Sequence, residues 1–306
     1  MVRPLVTIGI PTYNRADGFL REAIQSAIDQ TYPNIEIIVS DNCSTDNTME
    51  VIKQIRDSRL HYHRHEVNIG ANNNFNYCLK QASGDYFLLL HDDDLIDNDF
   101  VEVCVKAADY RSDFGIIRTG TRKINSKGEV LSESPNKAVG LSTFDFIRSW
   151  FACETSFYLC STLFNTKMLR EIGGFESKTN VFQDVFAEIQ LAVKHERVDV
   201  GEVKASFRKH AGELTFSSGI WAWCEDSLSL LDLLCDLLPE HKTLIRKEGM
   251  QFLSTLNYSL ASSIKSRYER LKAYIVVFRS YKYRHPPPPV TRRLSKLKRL
   301  ARISSQ

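Results

Sequence analysis

DYFLLLHDDD, at residues 85–94, is the most informative run in this chain of 306 residues. Its apolar part predicts a strand buried on both faces, because such strands read as continuous hydrophobic runs. The carboxylates of Asp92, Asp93 and Asp94 follow directly and repel one another, so a cation or hydrogen-bond donors must offset their charge. Mg²⁺ and Mn²⁺ prefer such oxygen ligands. An exposed acidic turn or helix cap is the alternative, since short acidic motifs also arise by chance.

Short apolar runs alternate with helical patterns through the first 120 residues. The predicted strands are residues 5–10, 35–40, 60–63 and 85–90, and the predicted helices are 19–30, 44–55, 73–82 and 100–108. This alternation implies βαβ units, with right-handed crossovers that place helices on both faces of a mostly parallel sheet. The predicted fold class is therefore α/β, with a helical C-terminal region that begins near residue 219.

Polar side chains follow three of the predicted strands, where a parallel sheet binds its ligands. Pro11, Thr12, Tyr13 and Asn14 follow the first strand, Asp41 follows the second, and the acidic triplet follows the fourth. We expect these groups to converge on one edge of the sheet. The first loop offers backbone amides and the Tyr13 ring to a nucleotide, and Asp41 offers a carboxylate to a base or ribose. Ordinary turns with helix caps are the alternative.

The composition is that of a soluble globular protein, with 43% hydrophobic and 25% charged residues. The net charge is +3, but six bases and no acids lie in residues 290–306, so the body is mildly acidic and no nucleic-acid-binding face is expected. The seven cysteines include no CxxC pair, which indicates a reducing compartment. Neither a signal peptide nor a run of about 20 apolar residues is visible, so a cytoplasmic location is predicted.

The C-terminal residues form a pattern of their own. Four prolines at residues 286–289 break the chain, and apolar residues then recur at every third position among the basic ones. These apolar residues are Leu294, Leu297, Leu300 and Ile303. A short basic amphipathic helix binds an anionic membrane surface, which predicts peripheral contact with the inner face of the membrane. A solvated, frayed terminus is the alternative.

Five short motifs, taken in order, resemble the large family 2 of glycosyltransferases, which has the GT-A fold. They are Pro11-Thr12-Tyr13-Asn14, Asp41-Asn42-x-Ser44-x-Asp46, Asn68-Ile69-Gly70, Gly84-Asp85-Tyr86 and Asp92-Asp93-Asp94. The resemblance covers about residues 3–215 and implies a catalytic domain at 1–218. Within it, the nucleotide-sugar half covers about 1–112 and the acceptor half about 113–218. A helical region at 219–285 and a Pro-rich break with the basic tail at 286–306 complete the predicted organisation.

The resemblance implies a role for each motif. The first loop and the aspartate after the second strand would hold the nucleotide base, which assigns that role to Thr12, Tyr13 and Asp41, with Pro11 and Asn14 as donor-site residues of the same loop. The other donor-site residues implied are Asn68, Gly70 and Asn74. In the acidic triplet, Asp92 would meet the ribose, and Asp93 and Asp94 would bind the metal, taken as Mn²⁺ or Mg²⁺. Many members of the family have an aspartate where this chain has His91.

Further resemblance lies downstream. Phe164-Asn165 and Ile172-Gly173-Gly174-Phe175 are similar to the acceptor-side segment of the family. The Glu-Asp pair that often follows reads Gln183-Asp184 here, and in inverting members this aspartate is the catalytic base. Arg208-Lys209-His210 ends the catalytic region as in many relatives, so His210 is a candidate for the metal shell or the diphosphate. An Asp184 that only favours the helix dipole and a structural His210 are the alternatives.

These features predict a metal-dependent, inverting glycosyltransferase. It would move a sugar from a nucleoside-diphosphate sugar, with UDP favoured, to a hydroxyl of a glycan or lipid-linked saccharide in cell-surface polysaccharide synthesis. Asp184 would accept the proton of that hydroxyl, and a single displacement inverts the anomeric centre. A nucleotidyltransferase acting on a sugar phosphate is one alternative, although no glycine-rich phosphate loop follows the first strand. A non-catalytic nucleotide-sugar-binding domain is the other, and the helical region is a candidate for self-association.

Overall fold

The apolar runs of the first half form four parallel strands. The structure is a computed structural model that describes residues 3–16, 18–210, 218–282 and 284–287. The strands are β1 (Val6–Thr12), β2 (Ile35–Asp41), β3 (Leu60–Arg64) and β4 (Tyr86–Leu89). They lie in the order β3-β2-β1-β4, and their register pairs Asp41 with both Thr12 and Arg64. The polar residues that end these strands therefore leave the sheet side by side.

Helices cover both faces of this parallel half. They are α1 (Leu20–Ile28), α2 (Thr48–Lys53), α3 (Ala71–Gln81) and α4 (Phe100–Ala107). On one face, α1 and α4 pack with Ile8 and Ile10 of β1 in the main hydrophobic core. On the other face α3 approaches β1 closely at Gly9, where an added Cβ would lie 2.8 Å from Cβ of Cys78. Glycine at this position therefore sets the distance between α3 and the sheet.

The second half of the sheet is antiparallel in part. It contributes β5 (Leu95–Ile96), β6 (Ile116–Ile124), β7 (Val130–Ser134), α5 (Thr143–Phe151), β8 (Thr162–Asn165), α6 (Thr166–Glu171), α7 (Gln183–Lys194) and β9 (Arg197–Arg208). The sheet continues from β4 through β8, β6 and β9 to β5, and β7 pairs with β6. β8 runs antiparallel to β4 and to β6, whereas β6 and β9 are parallel. The predicted α/β class is confirmed, with a sheet that is mixed.

By its internal contacts the chain forms two compact units. The first comprises Met1–Glu176 and Gln183–Glu213, and the second comprises Ser177–Phe182 and Leu214–Gln306. The helical region predicted for the C-terminal part is present as α8 (Ile220–Leu237), α9 (Lys242–Ser262) and α10 (Arg267–Ser280). Across the described ranges, no helix has both the length and the apolar character needed to cross a bilayer. The predicted membrane-contacting tail at 290–306 lies outside the described residues.

A buried contact between an arginine and a carboxyl group joins α7 to the sheet. Arg118 of β6 is 1% exposed and Glu188 of α7 is completely buried. Nε of Arg118 lies 3.1 Å from Oε2 of Glu188, and its guanidinium also lies over the Phe146 ring. Burial, reinforced by the charge of Asp184, raises the pKa of Glu188 to about 8 in spite of the opposing effect of Arg118. The carboxyl group therefore binds a proton more readily in the folded chain than in the unfolded one.

This raised pKa predicts a pH-dependent stability. An unfolded Glu loses its proton near pH 4.3, whereas folded Glu188 holds it up to about pH 8, so its stabilising contribution is complete below about pH 4 and is lost as the pH rises towards 8. We expect Glu188→Gln to flatten the decline of the unfolding free energy between pH 5 and pH 8. The slope of the unfolding free energy against pH should differ between the variant and the wild type by at most about 1.4 kcal/mol per pH unit. Urea denaturation at a series of pH values measures both slopes.

The matched control is Glu171→Gln, which alters a carboxylate of α6 whose side chain is 57% exposed. Its pH profile should run parallel to that of the wild type. A Glu188→Gln profile that also runs parallel to the wild type would show that Glu188 is ionised throughout this range.

Candidate active site

The loop after β1 is tied to the acidic run after β4. Thr12 donates from Oγ1 to Oδ2 of Asp92 at 2.7 Å. Nε of Arg15, three residues further along, lies 3.5 Å from Oδ1 of Asp92. Pro11 and Thr12 are buried at the end of β1, whereas Tyr13 is 44% exposed at the surface of the loop. The structure thus brings together the polar residues that follow the first and the fourth predicted strands.

The acidic run is largely buried, and its charges oppose one another. Asp92 is 8% exposed and Asp94 is 2% exposed. Burial raises the pKa of Asp92 to about 6, and the neighbouring charge of Asp93 adds to this effect. The same two causes raise the pKa of Asp94 well above its usual range. The repulsion expected from the sequence is therefore present in the fold, and a cation among these oxygens would relieve it.

Arg208, the last residue of β9, holds the run from the other side. Its side chain is almost completely buried, with the guanidinium 4.2 Å from the centre of the Phe19 ring. Nε donates to the carbonyl oxygen of Asp93 at 2.8 Å, and the backbone N–H of Arg208 donates to Oδ1 of Asp94 at 2.9 Å. Nη2 contacts Oε2 of Glu22 in α1 at 2.7 Å. One residue therefore fixes both the backbone and a carboxylate of the run.

A donor set suited to a divalent cation lies at the end of β4. Potential ligand atoms of His91, Asp93 and Asp94 all lie within 4.8 Å of one another. Nε2 of His91 is buried and has no hydrogen-bond partner among the described residues. Burial lowers the pKa of His91, so its imidazole is neutral, which is the form that binds metals. One imidazole and two carboxylates fit ions such as Mn²⁺.

The two histidines differ in their placement. His210, predicted as a ligand, contacts Oδ2 of Asp93 through Nε2 at 2.8 Å and, in the described part of the chain, lies outside the group of three. It is therefore placed to orient Asp93. His91, which offers a potential ligand atom in the group of three, was not among the residues predicted to bind the metal, because it reads as a departure from the aspartate common in the family. Its position directly before the triplet at a strand end was the available signal.

Asp41 is completely buried at the end of β2. Oδ1 accepts a hydrogen bond from the backbone N–H of Ser44, and Oδ2 accepts one from the hydroxyl of Tyr62, each at 2.8 Å. Nε of Arg64 lies 3.9 Å from Oδ2. The carboxylate predicted to meet the base is thus buried and contacts Tyr62 and Arg64. These two residues of β3 were missed in the sequence analysis, and the parallel pairing of β3 with β2 was the signal that could have found them.

Asn14 links the loops after β1 and β2. Its φ angle is +53°, a left-handed conformation that Asn tolerates better than most residues. Its backbone N–H donates to Oγ of Ser44, and its Oδ1 accepts from the N–H of Thr45 at 2.8 Å. Asp46, which precedes the N-cap residue Asn47, accepts from the N–H of Thr48 at the start of α2 and from the N–H of Ala16 in the first loop. These bonds hold the two loops as one surface.

The other predicted donor-site residues lie around α3. Asn68 accepts from Nδ2 of Asn42 and from the N–H of Gly70, which has a φ of +85° just before α3 begins. Asn74 is 2% exposed, and its amide bonds both the hydroxyl and the carbonyl oxygen of Ser40 in β2. Asn74 therefore attaches α3 to the sheet, whereas Asn68 and Gly70 remain on the surface next to Asn42.

Asp184 is the second residue of α7 and is partly exposed. Its Oδ1 accepts a hydrogen bond from the N–H of Val185 at 2.8 Å, in the first turn of the helix. It lies one helical turn before Glu188, and its charge contributes to the raised pKa of that buried group. The contact between Glu188 and Arg118 of β6 places this end of α7 on the sheet.

The fold, with an acidic donor set beyond the carboxyl ends of its parallel strands, is of the GT-A type. The sequence model described as Glycosyl transferase family 2 matches residues 7–172, which is more than half of the chain. The chain belongs to this family. The resemblance stated from the five motifs is therefore confirmed.

Curated relatives are similar to this chain over part of their own length. Abequosyltransferase RfbV of Salmonella typhimurium is 31% identical over 209 residues, which are 66% of this chain and 56% of the relative. This chain spans between 30% and 56% of the length of four curated relatives that it matches.

Two solved structures show the same fold at low identity. TarS 1–349 of S. aureus, in complex with UDP-GlcNAc, has a TM-score of 0.69 and 19% identity, and the match covers 90% of this chain and 80% of TarS 1–349. The mannosyltransferase PcManGT from Pyrobaculum calidifontis, in complex with GDP-Man and Mn²⁺, has a TM-score of 0.56 and 17% identity. That match covers 98% of this chain and 81% of PcManGT. The predicted GT-A fold is confirmed.

The contacts of Arg208 predict a marked loss of stability when its side chain is replaced. Arg208→Met retains much of the apolar contact with Phe19 but leaves the carbonyl oxygen of Asp93 without its donor. We expect the unfolding free energy to fall by about 1–3 kcal/mol, as for other buried acceptors that lose their donor. Urea denaturation measures the change. Arg111→Met, at an ion pair whose arginine side chain is 51% exposed, is the control and should leave the unfolding free energy nearly unchanged.

Proposed function

We propose that this chain is an inverting glycosyltransferase that uses a nucleoside-diphosphate sugar, with UDP favoured. The acceptor is a hydroxyl of a glycan or lipid-linked saccharide, in the synthesis of a cell-surface polysaccharide. The observation that carries the proposal is the group formed by His91, Asp93 and Asp94 at the edge of the sheet, tied through Asp92 to the loop after β1. The similarity to abequosyltransferase RfbV supports the transfer of a sugar.

His91, Asp93 and Asp94 are the residues that would hold a divalent cation, either Mn²⁺ or Mg²⁺. When bound, such an ion supplies positive charge that stabilises a leaving diphosphate. His210 orients Asp93 through their 2.8 Å contact. Arg208 keeps Asp93 and Asp94 in place through its own hydrogen bonds. Asp92 is held by Thr12 and Arg15 and is the carboxylate that the family resemblance assigns to the ribose.

The donor base is assigned to the surface formed by the loops after β1 and β2. The exposed ring of Tyr13 offers a face on which a base can stack. Arg64, whose side chain is 37% exposed above Asp41, supplies N–H donors of the kind that the carbonyl groups of a uracil ring require. Oδ2 of Asp41 accepts the hydrogen bond of the Tyr62 hydroxyl and lies 3.9 Å from Nε of Arg64. Uracil fits this combination, and a panel of nucleotides tests it against guanine and thymine.

The acceptor is assigned to the start of α7. Asp184 is partly exposed there, and as a base it takes the proton of the attacking hydroxyl while the oxygen bonds to the anomeric carbon. The bond from that carbon to the diphosphate breaks on the opposite face, and the anomeric configuration inverts. Glu188 lies one helical turn after Asp184 and is buried, with a raised pKa. Asp184 is the partly exposed carboxyl group of α7 and is therefore the one assigned to the acceptor.

Asp184→Asn provides the first test. We expect turnover to fall by about 10²–10⁴-fold, because the amide cannot accept the proton, while donor affinity stays within about threefold of the wild type. Release of the nucleoside diphosphate from UDP-, GDP- and dTDP-sugars measures turnover, and thermal shift with Mn²⁺ present measures donor binding. UDP-sugars should give the largest shifts. Asp113→Asn, at a side chain that is 61% exposed, is the control and should turn over normally. Normal turnover by Asp184→Asn would remove Asp184 from the mechanism.

The metal ligands provide the second test. Mn²⁺ titration by calorimetry or electron paramagnetic resonance, without any donor, should show a weakening of about tenfold or more for Asp93→Asn and for His91→Ala. His210→Ala should weaken binding less, because His210 contacts Asp93 and lies outside the group of three ligands. A larger effect of His210→Ala than of His91→Ala would favour the ligand set predicted from the sequence over the one proposed from the geometry.

A further inference from the structure

One buried carboxylate holds the hexapeptide Ser177–Phe182 in the second unit. Asp226 of α8 has no exposed surface. Its four hydrogen-bond donors are Ser177 Oγ at 2.6 Å, Thr179 N at 2.8 Å, Val181 N at 2.9 Å and Phe182 N at 3.1 Å. Oδ2 accepts three of these hydrogen bonds and Oδ1 accepts the one from Thr179, so both oxygens of Asp226 hold the hexapeptide.

Other contacts join the hexapeptide to the first two turns of α8. Thr179 donates from Oγ1 to the carbonyl oxygen of Ala222 at 3.0 Å. The ring of Phe182 meets the ring of Trp223 edge to face, with centroids 5.1 Å apart. The hexapeptide forms neither helix nor strand, so its backbone N–H groups have no regular partners. Asp226 supplies these partners inside the protein, where an unpaired N–H group would be unfavourable.

The hexapeptide leads directly into α7, because Phe182 is bonded to Gln183, the first residue of that helix, and Asp184 follows. We propose that Asp226 is a positioning residue for Asp184. By holding the N–H groups of Val181 and Phe182, it fixes the point at which α7 begins. The proposal rests on the proposed role of Asp184 as the base. A displacement of about 1 Å in a catalytic group can reduce a rate by about 100-fold, so Asp226 acts on turnover without contacting the donor.

This proposal gives the helical C-terminal region a part in the reaction. The match to the family ends at residue 172, before the hexapeptide and before α8. Both the hexapeptide and α8 belong to the second unit, although the hexapeptide interrupts the first unit in the sequence. The connection to Asp184 is therefore covalent, through the chain that leaves Phe182.

Asp226→Asn in the full chain is the test. The amide keeps the size of the side chain but loses the charge and replaces one acceptor oxygen with a donor that faces N–H groups. We expect amide hydrogen exchange in residues 178–184 to become about tenfold faster or more. Turnover, measured as nucleoside-diphosphate release from UDP-sugars, should fall by about 10-fold to 100-fold. The KM for the donor should stay within about twofold of the wild type.

The matched control is Asp232→Asn on the same helix, at a side chain that is 64% exposed and pairs with Arg246. It should leave both exchange and turnover as in the wild type. Faster exchange in Asp226→Asn with unchanged turnover would reduce Asp226 to a purely structural role and overturn the proposal. Unchanged exchange would overturn it as well, since the hexapeptide would not depend on Asp226.

Ser177→Ala tests the same contact in a milder way if Asp226→Asn does not fold. It removes one of the four hydrogen bonds, and we expect intermediate exchange with a fall in turnover of about twofold to fivefold. Normal exchange and normal turnover in this variant would contradict the proposal. Normal turnover in Asp184→Asn would instead contradict the function assigned to the base, so the two failures are distinguishable.

Discussion

Repulsion among three adjacent carboxylates at the end of a buried strand is the constraint around which the site is organised. The groups that offset it come from distant parts of the chain. Thr12 and Arg15 approach from the end of β1, and Arg208 and His210 approach from the end of β9. The order of the sheet and the length of β9 make these approaches possible. Burial and the repulsion that remains uncompensated raise the pKa values of Asp92 and Asp94, and a cation bound among their oxygens would offset the repulsion.

The parallel half of the fold could be predicted from the sequence because its signals are local. Each of β1, β2 and β4 is a continuous apolar run, and α1, α3 and α4 show helical spacing. The second half could be predicted less well, since β8 is a short strand that pairs with β4 and β6 through contacts distant in the chain. No local sequence pattern indicates that β8 runs antiparallel to both of these strands. The sheet is mixed for this reason, while β1 to β4 are parallel, as the alternation of strands and helices predicts.

The residues of the candidate site also fall into those that local sequence patterns predict and those that depend on contacts distant in the chain. The acidic run and the loop after β1 could be placed from the sequence, because both follow strongly apolar strands. The roles of Arg208 and Tyr62 depend on which strands become neighbours, so they could not be read from a local motif. The position of His91 before the triplet is visible in the sequence, but the burial of its Nε2 atom is not. Asn74 is a residue whose contacts differ from the role predicted for it. It was assigned to the donor site from resemblance, yet its amide hydrogen-bonds both the hydroxyl and the carbonyl oxygen of Ser40 and so attaches α3 to the sheet.

The hexapeptide Ser177–Phe182 also limits how proteins of this kind can be recombined. A fragment that ends at Glu213 would retain every described strand but would lose α8, and with it the only carboxylate seen to accept hydrogen bonds from Thr179, Val181 and Phe182 in the described chain. Exchange of C-terminal regions between homologues would succeed only where the new region brings an equivalent acceptor. The hexapeptide and α8 should therefore be inherited together, although about 40 residues separate them in the sequence.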